Sequence, residues 1–157
     1  MKKLVLSVVF TCSAVLCFGQ THLLSYEDVK FLLINNLEKA DTFMMAKGYQ
    51  VITKKNNNKN RSYKSEDGNT HTDVDIRLDG KRLFIELQTN EIEQYDIIHN
   101  SIAQFIIKDV VAADVQTYMV KDVGTIYITV NDSAPYDPLK REYDMHIVSD
   151  KHITAYN

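Results

Sequence analysis

Thr72, Asp73, Val74, Asp75, Ile76, Arg77, Leu78, Asp79, Gly80, Lys81, Arg82, Leu83, Phe84, Ile85, Glu86, Leu87 and Gln88 form the stretch whose reading decides the architecture. Val74, Ile76 and Leu78 alternate with Asp73, Asp75 and Arg77. Leu83, Ile85 and Leu87 likewise alternate with Phe84, Glu86 and Gln88. A period of two is that of strands with one face on a core and one toward water. Asp79-Gly80 between the runs predicts a two-residue hairpin turn. Setting Leu78 opposite Lys81 then predicts that Val74 and Ile76 meet Ile85 and Leu83 inside, and that Asp73 faces Glu86 outside.

Upstream, Ser25-Tyr26-Glu27-Asp28 is a capping signature that predicts a helix from Tyr26. Val29, Leu32, Leu33, Leu37, Ala40 and Met44 recur at steps of three and four as one apolar stripe, until Gly48 supplies a stop. Tyr49 to Lys54 reads as a short strand. Residues 55–69, with Asn56, Asn57, Asn58, Asn60, Gly68 and Asn69, read as a long mobile loop.

Downstream, Asn90-Glu91-Ile92-Glu93 predicts a second cap, and Ile92, Tyr95, Ile98, Ile102, Phe105 and Ile106 a second helical stripe. Strands follow at Val115–Val120, Thr125–Val130 and Glu142–Val148. Asp122-Val123-Gly124 reads as a turn, and Ser133–Lys140, with Pro135 and Pro138, as a loop. The order helix, three strands, helix, three strands suggests a duplicated αβββ unit. The fold expected is α+β: a two-layer sandwich with two helices packed on one face of a mainly antiparallel sheet.

Composition agrees with one globular domain. The 157 residues are 45% apolar, 10% aromatic and 25% charged, with 5 Gly and 2 Pro, which excludes collagen-like and disordered classes. Met1-Lys2-Lys3, the apolar run Leu4 to Leu16, and Cys17 and Gly19 at −3 and −1 of a cut predict a secretory leader over residues 1–19, with the domain at 20–157. The run is too short to span a membrane. Both cysteines, Cys12 and Cys17, fall in the leader, so disulfides and cysteine chemistry drop out. The location expected is periplasmic or secreted. The formal charge of −3, more negative once Lys2 and Lys3 are gone, disfavours broad binding to nucleic acid or anionic lipid.

Asp73, Asp75, Glu86 and Gln88 share the outer face of the hairpin. Like charges facing each other repel, so a cation, a basic partner or water must offset them. Residues 26–120, read as helix, three strands, helix and strand, are similar to the core of the PD-(D/E)xK nuclease fold. The resemblance implies that Asp75 and Glu86 would hold Mg²⁺ and that Gln88 would stand at the usual lysine position. Nucleic acid would be a substrate only under that reading. The basic residues Lys54, Lys55, Lys59, Arg61 and Lys64 could meet a polyanion or an acidic protein patch. Tyr118 and Tyr127 are candidate anchors for a protein. His22, His71, His99, His146 and His152 show no ligand spacing, and no nucleophile elbow, phosphate loop or EF-hand is present.

The layout also resembles small periplasmic inhibitor and immunity proteins, such as the duplicated β-lactamase inhibitor proteins. The expectation preferred is therefore a non-enzymatic domain that needs no cofactor and binds another envelope protein. Its candidate contacts are Asp73, Asp75, Glu86, Tyr118, Tyr127, Lys59 and Arg61. The alternative is the Mg²⁺-dependent nuclease using Asp75, Glu86 and Gln88.

Overall fold

Ser25 opens the described fold with the expected reciprocal cap. Its hydroxyl accepts from the Asp28 N–H while the Asp28 carboxylate accepts from the Ser25 N–H at 2.8 Å. The computed structural model describes residues 22–53, 57–79, 82–132 and 141–150. The leader expected at 1–19, Gly80 of the expected turn and the loop expected at 133–140 lie outside them.

The single helix expected from Tyr26 is two, α1 at Tyr26–Ile34 and α2 at Leu37–Ala46. Asn35 and Asn36 between them are both extended. Asn35 Nδ2 donates to the Phe31 carbonyl, and Asn36 Oδ1 accepts from the Lys39 N–H, so the two side chains close one helix and cap the next. The apolar stripe survives the break, with all six of its residues buried. Gly48 stops α2 at a φ of 90°.

The strands are β1 Gln50–Val51, β2 Asn60–Asp67, β3 Thr70–Asp79, β4 Arg82–Thr89, β5 Ile106–Ala112, β6 Val115–Val120, β7 Gly124–Asp132 and β8 Arg141–Ser149. They form one sheet ordered β1-β2-β3-β4-β8-β7-β6-β5, antiparallel at every pairing. Between the two runs of four strands lies α3, Ile92–Ile102, with a 3₁₀ turn at Ala103–Phe105. The protein is thus mixed α+β, with three α-helices among the described residues. Among the described residues no helix is long and apolar enough to cross a membrane.

Three expectations are corrected. The β3–β4 register is shifted by two residues: Asp79 pairs with Arg82, Leu78 with Leu83, Ile76 with Ile85 and Val74 with Leu87. Asp79, expected in the turn, is instead the last paired residue of β3. A shift of two keeps every side chain on its expected face but puts Asp75, not Asp73, opposite Glu86. Second, much of the expected 55–69 loop is β2, which pairs along its whole length with β3 and turns into it at Gly68, φ 59°. Third, Asn90 does not cap α3. Its side chain binds the His71 N–H and the Asn69 carbonyl, and Glu91 occupies the N-cap without a side-chain bond. Ile92, expected in the core, is 48% exposed, while Gln94 is buried in its place.

The inner residues Tyr63, Val74, Ile76, Leu83, Ile85, Leu87, Ile126, Ile128, Met145 and Ile147 join the helix residues Leu32, Leu33, Met44, Ile98 and Ile102 in one buried cluster. Gln94 makes the seam polar where it must be. Its amide accepts from the Leu24 N–H and donates to the Leu24 carbonyl, both at 2.8 Å, and so fixes the entry to α1.

Candidate functional site

The strand alternation that fills the core leaves the opposite sheet face to polar residues, and the register orders them in rows. One row runs Ser62, Asp75, Glu86, His146, Tyr127 and Thr117 from β2 to β6. The next runs Lys64, Asp73, Gln88, Asp144, Thr129 and Val115. On the other side lie Arg77, Phe84 and Val148, with the Arg77 guanidinium 5.3 Å from the Phe84 ring centroid. A depression of about 400 Å³ opens between the rows, lined by Asp75, Arg77, Phe84, Glu86 and His146 among others.

Four carboxylates, Asp73, Asp75, Glu86 and Asp144, therefore sit within two neighbouring rows of three adjacent strands. Gln88 Nε2 donates to Glu86 Oε1 at 3.1 Å, and His146 Nε2 lies 3.0 Å from Asp144 Oδ2. Asp73 Oδ1 and Asp144 Oδ1 are shut off from solvent and accept no hydrogen bond from the described residues. At the edge, Lys64 bonds Glu66 at 2.6 Å. That bond, with the Asp73 charge beside it, holds the Lys64 ammonium above its ordinary pKa, and Lys64 in turn lowers that of Glu66.

Of the sequence candidates, Asp73, Asp75, Glu86, Gln88 and Tyr127 come together on this face, with Tyr127 38% exposed. Tyr118 does not. It is 9% exposed on the inner face, its hydroxyl bonds Gln116, and its ring meets His99 edge-on. Burial pushes its hydroxyl pKa up. Arg61 also points to the helix side, where its Nε pairs with the Asp41 carboxylate of α2 at 3.0 Å and Tyr63 Oη donates to the same group at 2.9 Å. Even alternation along β2 could have revealed this, because Arg61 shares the parity of buried Tyr63. Lys59 is exposed just before β2.

Asp144 and His146 are the residues that reading by motif missed. Glu86, Asp144 and His146 each offer one ligand atom, all within 4.8 Å of one another, and they form the metal-capable set among the described residues. Asp75 is outside it. The strand Val115–Val120, which a nuclease core would set parallel to a neighbour, is antiparallel to both β5 and β7. The chain matches no protein-family model, no curated protein and no solved structure.

Proposed function

We propose that this chain is an exported, non-enzymatic domain that binds another envelope protein through the outer face of its sheet, in the manner of inhibitor and immunity proteins. The observation that carries the reading is the grouping of Asp73, Asp75, Glu86 and Asp144 with Phe84 and Tyr127 on one face opposite the helices. Such a face suits a partner patch bearing Lys or Arg, with rings supplying area and carboxylates supplying charge pairs. Two helical segments, α1 with α2 and then α3, each followed by four strands and meeting at the β4–β8 pair, support a two-layer sandwich built from a duplicated unit. The first half opens with two helices and the second with one, and each then carries four strands, one more than the αβββ order suggested. The leader-like residues 1–19 support export to the periplasm or beyond.

Copurification from periplasmic extract tests the reading. A partner retained by the wild type and lost on Asp75→Lys with Glu86→Lys is the expected result. A monomer that captures nothing under several growth conditions counts against it.

One observation favours a second reading, a metal-dependent nuclease: Asp75 and Glu86, its two Mg²⁺ ligands, are direct cross-strand partners. Nicking of plasmid DNA with Mg²⁺, lost in Glu86→Ala, is its required result. The all-antiparallel sheet weighs against it.

A further inference from the structure

We infer that Glu86, Asp144 and His146 form a site for a divalent transition-metal ion of the Zn²⁺ class, on the seam between β4 and β8. The inference stands apart from the protein-binding reading, since it concerns an ion and is measured without a partner.

The seam supplies the geometry. Glu86 and His146 are cross-strand partners, and Asp144 reaches the same place two residues along β8, because alternate residues of a strand share a face. The ligand atoms already lie within 4.8 Å of one another. Tetrahedral bonds of about 2.0 to 2.2 Å to nitrogen and oxygen need ligand atoms somewhat closer, a contraction that side chains 33% and 46% exposed at Asp144 and His146 can make by rotating. The strands need not move.

Two further observations point to a cation. Asp144 Oδ1 is shut off from solvent and has no donor among the described residues, although its carboxylate stands near that of Glu86. A carboxylate oxygen so placed is costly unless a positive charge meets it. Gln88, facing Asp144 across the strands, holds Glu86 Oε1 with its amide, as an outer residue orients a ligand carboxylate. The imidazole selects the metal. Mg²⁺ and Ca²⁺ prefer all-oxygen sets, whereas one nitrogen and two carboxylates suit Zn²⁺, with water completing the shell. The metal would take the Nε2 lone pair of the neutral His146 tautomer that carries its one ring proton on Nδ1, and the Asp144 carboxylate, 3.0 Å from Nε2, would turn to the same ion.

The test is calorimetric titration of the tag-free, chelator-stripped protein with Zn²⁺, with the visible absorption of added Co²⁺ as a second readout. One Zn²⁺ per chain at micromolar affinity is expected, weakened about tenfold or more by His146→Ala and by Asp144→Asn. His71→Ala removes the face's other carboxylate-paired histidine, 3.5 Å from Glu142, and should leave binding unchanged. His146 and Asp144 lie outside the core, and circular dichroism checks that the variants fold. Binding no tighter than millimolar, indifference to His146→Ala, or equal affinity for Mg²⁺ would each overturn the inference, the last by reducing the site to counter-ions around an acidic patch.

Discussion

Asp75 stands directly across from Glu86 in the β3–β4 pair, with His146 next to Glu86 in the same row. Folding forces this opposition. The inner-facing Val74, Ile76, Ile85 and Leu87 fix the faces, and the Asp79–Arg82 pairing fixes the register, so the two acids stay cross-strand partners as long as the core is packed. An arrangement that costs stability in the isolated chain calls for a positively charged occupant.

Asp75→Asn should therefore stabilise the metal-free protein. Like charges opposite each other on a sheet cost roughly 0.2 to 1 kcal/mol, and salt screens them. Urea midpoints at low ionic strength should rise by about that amount, and the gain should shrink in high salt. A loss of stability at low salt would contradict the reading of this row.

Tyr49→Phe should also stabilise. The Tyr49 hydroxyl is buried without a hydrogen-bond partner among the described residues, and burial drives its pKa well above the ordinary tyrosine value. Removing an unsatisfied buried hydroxyl returns on the order of 1 kcal/mol. Denaturant unfolding of the purified variant gives the sign.

Gln94→Ala should do the opposite. It strips both partners from the Leu24 backbone, at about 1 to 3 kcal/mol for each buried group left unpaired. Amide exchange at Leu24 should accelerate well beyond exchange at core residues such as Ile85.

Gly124→Ala should be the most damaging single change at a turn. Gly124 has a φ of 128°, and a Cβ there would run into the Val148 carbonyl and the Asp150 N–H. Strain and clash together should cost more than about 2 kcal/mol, read as a lowered thermal midpoint.

The sequence made some elements legible and hid others for identifiable reasons. The β3 and β4 runs, β6, β7, β8 and the Ser25 cap were readable because each carries its own period or cap. The hairpin register was off by two because either two-residue connection keeps the same faces. Strand β2 was unreadable: in Asn60–Asp67 only Tyr63 is apolar, and the segment is a strand because its backbone completes β3 and its Arg61 and Tyr63 find Asp41. Strand β5 escaped because Ile106 continues the helical stripe of α3 by spacing, and Ile107 and Val111 are exposed at 69% and 68%. Asp144 and His146 could not be joined to Glu86 from sequence, because only the pairing of β8 with β4, distant along the chain, brings them together.

The claim on which the account rests is that the acidic outer face is where a protein partner sits. A photo-crosslinking residue at Tyr127, compared with one at the exposed helix residue Lys39, tests it in the envelope of the producing cell. The account predicts one discrete adduct from position 127 that disappears when Asp75 and Glu86 are reversed to Lys, and none from position 39. An adduct from position 39 alone, or one from 127 that survives charge reversal, would contradict it.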